Sequence, residues 1–247
     1  MSKSKPVRLD KLLANMGYGT RKEIDALVRS RRILLEGKPL KSASEKLPPS
    51  ENLQNRLTID NTPIDPLPGF AIMLHKPVGV TCSRKDSGTL INELFPSRWD
   101  KRDPLLSPIG RLDKDTSGLL LLTDDGQLNH RVSSPKTETP KRYHVILDRD
   151  LKGDEVEIFA AGTLMLESEH KPLLPAEMEV ISSREAILTL HEGRYHQVRR
   201  MFAAQGNHVN ALHRLSIGGL HLPEDLKAGQ WRFMSNEDIN TIFSPLT

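Results

Sequence analysis

Leu9, Leu12, Leu13 and Met16 recur at i, i+3, i+4 and i+7, which predicts a helix with one apolar face, stopped by Gly17-Tyr18-Gly19. Thr20, with Glu23 three residues on, makes a capping box that opens a second helix carrying Ile24, Leu27 and Val28 inward. Ile33–Leu35 reads as a strand, turning at Glu36-Gly37-Lys38-Pro39. Residues 61–69 hold Pro63, Pro66 and Pro68 and read as a linker. Beyond them the period changes. Residues 70–75 predict a strand, and the four leucines of 119–122 leave no wet face, the mark of a strand buried on both sides. Tyr143-His144-Val145-Ile146-Leu147 alternates, 186–191 predicts another strand, and 197–205 a helix with Val198, Met201 and Phe202 inward. Residues 148–185 are an acidic mixture of helix and strand without evident chemistry, and 222–247 close with a strand and a helix.

Composition narrows the class. Of the 247 residues, 37% are hydrophobic and 27% charged, as in an ordinary globular protein. The single Cys82 leaves no disulfide framework and no cysteine-rich zinc site. No apolar run reaches the roughly 18 residues of a membrane span, so no membrane association and a cytoplasmic location are expected. The net charge of +3 is unevenly spread, with 13 Lys/Arg against 7 Asp/Glu in residues 1–60. A basic head on a near-neutral body fits a partner with a phosphate backbone, although a merely solvated basic surface would look the same. Residues 2–6 read as a disordered tail.

The candidate chemistry sits just before the leucines, in Gly110-Arg111-Leu112-Asp113-Lys114-Asp115-Thr116-Ser117-Gly118. A polar loop leading into a buried strand is held still at the rim of a core. Asp113, Asp115, Ser117 and Gly118 also fall on EF-hand positions, but Pro108 and Gly110 leave no entering helix and Asp124 stands where a bidentate Glu is needed. Neither a Walker A pattern nor a strand-linked GxGxxG occurs. A lone aspartate fits nucleophilic or base chemistry at a sugar–base junction. A guanidinium roughly 4 Å away would stabilise it as the anion by about 4 kcal/mol before desolvation. Tyr143 is either a stacking partner for a base or a half-buried strand residue. His196, among Arg194, Arg199 and Arg200, is more readily an RNA or structural contact than an acid–base group. Lys76 or Arg84, around the Pro77–Gly79 turn, could meet a phosphate.

Two arginine-flanked helices followed by a small sheet, with Arg8-Leu9-Asp10-Lys11 and Glu36-Gly37-Lys38, resemble the RNA-binding domain of ribosomal protein S4, although 42–56 is longer than that domain usually carries. The loop 110–119, with Lys76-Pro77-Val78-Gly79, Lys141-Arg142-Tyr143 and Glu192-Gly193-Arg194-Tyr195-His196-Gln197-Val198-Arg199-Arg200-Met201 in that order, resembles the pseudouridine synthases. The run from Glu192, continued by Phe202-Ala203-Ala204 and Gly206-Asn207-His208-Val209, is more similar to members acting on small-subunit ribosomal RNA than to those acting on the large subunit.

The resemblance implies an α+β chain: an S4-like domain over 1–62, a linker over 63–69, and over 70–247 a catalytic domain built on a mixed, mainly antiparallel sheet with flanking helices. It implies isomerisation of a uridine in small-subunit (16S) ribosomal RNA, with base flipping and no cofactor or metal. The partner would be a small-subunit precursor particle and the enzyme a monomer. Asp113 would be the nucleophile, by direct attack on the sugar or through a glycal. Tyr143 would stack on the base, Arg199 would pair with Asp113, and Leu212 or Leu215 would wall the pocket. Arg111 and Thr116 would shape the loop, and Lys76 would touch the RNA backbone at most. Arg8, Arg21, Lys22, Arg29, Arg31, Arg32, Arg194, His196 and Arg200 would contact RNA. A large-subunit enzyme and a non-catalytic ribosome assembly factor are the alternatives.

Overall fold

The computed structural model describes residues 5–50, 52–83 and 85–246. Most of the tail expected over 2–6 and the phosphate role considered for Arg84 therefore lie outside the described residues. The chain divides into two compact units. One runs to Phe70 and takes in Asn92–Ser107, and the other comprises Ala71–Ile91 and the chain from Pro108 onward.

In the first unit β1 (Val7–Arg8) leads into α1 (Leu9–Asn15) and α2 (Arg21–Arg29), followed by β2 (Ile33–Leu35), β3 (Lys38–Pro39), β4 (Lys46–Leu47), α3 (Leu53–Arg56), β5 (Leu57–Ile59) and β6 (Thr62–Pro63). The capping box forms as the spacing predicts: Glu23 N–H donates to Thr20 Oγ1 at 3.3 Å and Thr20 N–H to Glu23 Oε2 at 2.6 Å. Leu9, Leu13, Met16 and Ile24 are fully buried against Ile33 and Leu57. The longer stretch 42–56 supplies β4, which pairs with β1, and α3. The prolines of 61–69 do not leave a free linker. Thr62–Pro63 is an edge strand on β5, where a missing N–H is tolerated. Asp65 accepts two bonds from Arg98, at 2.6 and 2.7 Å, and one from Trp99 Nε1 at 2.9 Å.

The second unit is built from β7 (Ala71–Lys76), β8 (Ser107–Ile109), β9 (Thr116–Thr123), α4 (Gly126–Ser133), β10 (Lys141–Leu147), α5 (Glu155–Ala160), β11 (Glu177–Ser182), β12 (Glu185–Leu190), α6 (Gln197–Ala204), β13 (Val209–Ile217), β14 (Leu220–His221), β15 (Trp231–Phe233) and α7 (Asn236–Thr241). Its nine-stranded sheet runs β11-β12-β10-β13-β9-β7-β15, with β14 on β13 and β8 on β9. The β13–β9 ladder is parallel, while β10–β12, β10–β13, β11–β12, β7–β9 and β7–β15 are antiparallel, the mixed and mainly antiparallel sheet expected.

β9 carries the four leucines, at 0–2% exposure. Leu119 and Leu121 pack with Met73, Val132 and Ile242 on one face. On the other, Val145 and Leu212 pack with Val198, Met201 and Phe202 of α6. Each buried leucine contributes about 1.5–3 kcal/mol relative to exposure, so the strand that follows the polar loop is firmly seated.

Candidate active site

The loop 110–115 hangs between β8 and β9 and is stapled from the end of β7. Lys76 is fully buried, and its Nζ donates to the carbonyls of Pro77 (3.0 Å), Asp113 (3.0 Å) and Thr116 (2.8 Å). Gly79 N–H donates to Lys114 O at 2.7 Å, and Thr116 N–H to Asp113 O at 3.1 Å. Burial pushes the Lys76 ammonium below the ordinary lysine value, while the negative charges of Asp113 and Asp115 pull it back up. Lys76 therefore does not reach a phosphate. Its four-carbon stem runs through the core and its charge is spent on loop carbonyls.

Gly118 explains the glycine that closes the loop. Its φ is +109°, and a Cβ there would lie 2.3 Å from the carbonyl oxygen and 2.5 Å from the nitrogen of Arg214, its partner in β13. Only glycine lets β9 and β13 approach at this register.

Asp113 keeps a carboxyl with 31% exposure, and His196 Nε2 stands 3.3 Å from its Oδ1. His196 is the N-cap of α6 at φ 49°, so a left-handed turn aims the imidazole at the loop. Arg199, one turn along, goes elsewhere than expected. Its Nη2 pairs with Asp115 Oδ2 at 2.9 Å, its Nη1 donates to Val209 O at 2.7 Å, and it is Asp115, not Asp113, that it meets. The physical reason is reach: the Val209 carbonyl on β13 anchors the guanidinium beside the last residue of the loop, and the N-cap histidine takes the position next to Asp113.

Register places the remaining candidates. Thr116, Leu212 and Val145 are cross-strand partners, as are Gly118, Arg214 and Tyr143, so Thr116, Leu212 and Tyr143 share the face that α6 covers. Tyr143 is half-buried against the cluster containing Leu212, whereas Leu215 falls at the register shift between Arg214 and Ser216 and lies outside that cluster. Thr116 Oγ1, Arg199 Nε, Arg214 Nη2 and Ser216 Oγ are buried without a partner among the described residues. Arg111 is exposed at the loop's start.

On the other face Ser117, His213 and His144 form a row that floors an open cavity of about 210 Å³, with Val78, Asp115 and Leu212 among its walls. Ser117 Oγ lies 2.8 Å from His213 Nδ1, and burial followed by His75 and His144 lowers the pKa of His213. The sequence reading missed this row, although its residues alternate with Thr116 and Leu212 along their strands.

Several cations expected on RNA are engaged within the protein. Arg194 bonds Glu192, Glu169 and the carbonyls of Lys171 and Pro172, and Arg200 bonds Glu169 and the carbonyls of Tyr195 and Glu167. Both converge on the 167–172 segment, where the Glu169 carboxylate and three backbone carbonyls accept from them. Arg8 pairs with Asp10, Arg29 with Asp25 and Arg32 with Asp60, whereas Arg21, Lys22 and Arg31 are exposed without an ion pair among the described residues.

Comparison with known proteins shows which family the chain belongs to. Residues 71–204 match the family model described as RNA pseudouridylate synthase, and residues 7–53 match the S4 domain. The chain belongs to the RNA pseudouridylate synthase family. Among relatives, ribosomal small subunit pseudouridine synthase A of Vibrio cholerae is 41% identical over 96% of this chain and 100% of its own. An uncharacterized RNA pseudouridine synthase of Bacillus subtilis is 37% identical over 97% of this chain and 99% of its own. A crystal structure of a pseudouridylate synthase superposes with a TM-score of 0.67 at 36% identity, covering 96% and 99% of the two chains. The chain is thus a pseudouridine synthase with an S4 domain, and the loop 110–115 lies within the stretch that the synthase model matches. Among the described residues no helix is long and apolar enough to cross a membrane.

Proposed function

We propose that this pseudouridine synthase isomerises a specific uridine of small-subunit (16S) ribosomal RNA, within a precursor particle, using Asp113 as nucleophile and a flipped base stacked on Tyr143. The observation that carries the reading is the partly exposed Asp113 carboxyl on a loop whose backbone Lys76 holds from beneath. The high identity to relatives named as small-subunit synthases, over their whole length, supports the choice of RNA.

In the reaction the C1′–N1 bond breaks, uracil turns in place and C1′–C5 forms; the C5 proton leaves and N1 gains one. Atoms balance without a cofactor. Extruding the base costs a few kcal/mol of stacking, which a tyrosine face offsets. The partnerless buried groups of Thr116, Arg199, Arg214 and Ser216 would give the site polar atoms to offer the uracil edge. Arg199 acts through Asp115, at the end of the loop. Arg21, Lys22 and Arg31 of the S4 domain would hold phosphates.

The test is incubation with small-subunit RNA or its precursor particle, followed by mapping of pseudouridine. One modified uridine is expected. Product only in large-subunit RNA would move the enzyme to the other subunit, absence of any product would favour an assembly factor, and full product from Asp113→Asn would overturn the nucleophile.

A further inference from the structure

Around the tip 193–196, before α6, Arg194 and the α6 residue Arg200 turn inward while the Tyr195 ring turns outward. Arg194 and Arg200 are tied to Glu192, Glu169 and segment carbonyls. The tip's backbone is pinned as well: Arg194 N–H donates to Gln197 Oε1 at 2.9 Å, Gln197 N–H to Arg194 O at 3.2 Å, and Arg200 Nη1 to Tyr195 O at 3.2 Å. Tyr195, held on this pinned turn, is 72% exposed, the most exposed large hydrophobic side chain among the described residues. One face of its ring stacks on His196, with centroids 3.9 Å apart and planes at 16°, and His196 in turn lies 3.3 Å from Asp113.

We propose that the outer face of Tyr195 is a stacking platform for an RNA base next to the target uridine. This rests on Asp113 marking where that uridine sits. Unpaired bases are recognised by stacking on aromatic faces, and a nucleotide flanking a flipped one has lost a stacking neighbour. A ring already fixed between a pinned backbone and an imidazole loses little freedom when a base lands on it. A loop built for phosphate would show the opposite arrangement, with guanidinium groups outward. Here Arg194 and Arg200 are engaged within the protein, and Arg200 holds the Tyr195 carbonyl.

The experiment uses full-length enzyme and a single-stranded RNA spanning the mapped uridine, with 2-aminopurine placed in turn on each side of it. Wild type and Tyr195→Trp should quench the fluorescence at one of the two positions, and Tyr195→Ala and Tyr195→Leu should not. Loss of one stacked base should raise Kd and KM roughly tenfold. That loss should fall in KM rather than kcat and be equal at 50 and 200 mM salt, since no phosphate contact is removed. Retained quenching and KM in Tyr195→Ala would overturn the proposal. So would full function in Tyr195→Leu, which keeps bulk over His196 without a π face, or a loss confined to kcat. Absence of pseudouridine with wild type would overturn the proposed function itself, an outcome the variants cannot mimic.

Discussion

Replacing Lys76 by Met separates a loop-holding lysine from a phosphate-binding one. The thioether fits the same channel, removes the charge and leaves the carbonyls of Pro77, Asp113 and Thr116 without their donor. Three bonds from a charged donor at 1.5–3 kcal/mol each give roughly 5–9 kcal/mol gross. The desolvation of a fully buried ammonium returns several of these, leaving an expected loss of about 3 kcal/mol, mainly the cost of buried carbonyls left without a donor. Urea denaturation measures it. Turnover should fall as well, because the loop carrying Asp113 loses its anchor, while the salt dependence of RNA binding keeps its slope. Two results would refute the reasoning: a Lys76→Met variant within 1 kcal/mol of wild type at full turnover, or a salt slope reduced by about one unit, the signature of a lost phosphate contact.

Gly118→Ala places a methyl group against the Arg214 backbone at positive φ, and should cost about 2–4 kcal/mol by chemical denaturation; a neutral result would show that the β9–β13 contact can open. Burial, followed by Arg214, lowers Lys141 to about 8. Its folded form thus holds fewer protons than the unfolded chain from pH 8 to the ordinary lysine value, so stability should rise with pH across that window, by at most ~1.4 kcal/mol per unit. Lys141→Met should flatten the rise. Asp65 is desolvated by burial, yet Arg98 and Trp99 hold its carboxyl below the usual range, so its stabilisation is present above the unfolded carboxylate pKa and lost as pH falls through the folded one. Asp65→Asn should cost about 3 kcal/mol at pH 7 and progressively less in acid, when denaturation curves are compared at both pH values.

Periodicity alone determined the helices ending at Gly17 and opening at Thr20, the doubly buried strand of leucines, and the alternation that sets Tyr143 on a strand, because apolar spacing is a local property of the chain. The order of the motifs was enough to name the family. Charge pairing was not legible. Arg199 could be expected beside an aspartate, but whether Asp113 or Asp115 depended on the Val209 carbonyl one strand away, and the imidazole beside Asp113 depended on a left-handed N-cap. Lys76 read as a surface cation because lysines are rarely buried, and only the convergence of three carbonyls made its burial tolerable. Arg194 and Arg200 read as RNA contacts open to solvent, phosphate or an acid, and only the fold brought Glu169, some thirty residues upstream, to them. A long flexible side chain takes its partner from whatever the fold brings within reach, and that is settled by packing between segments distant in sequence.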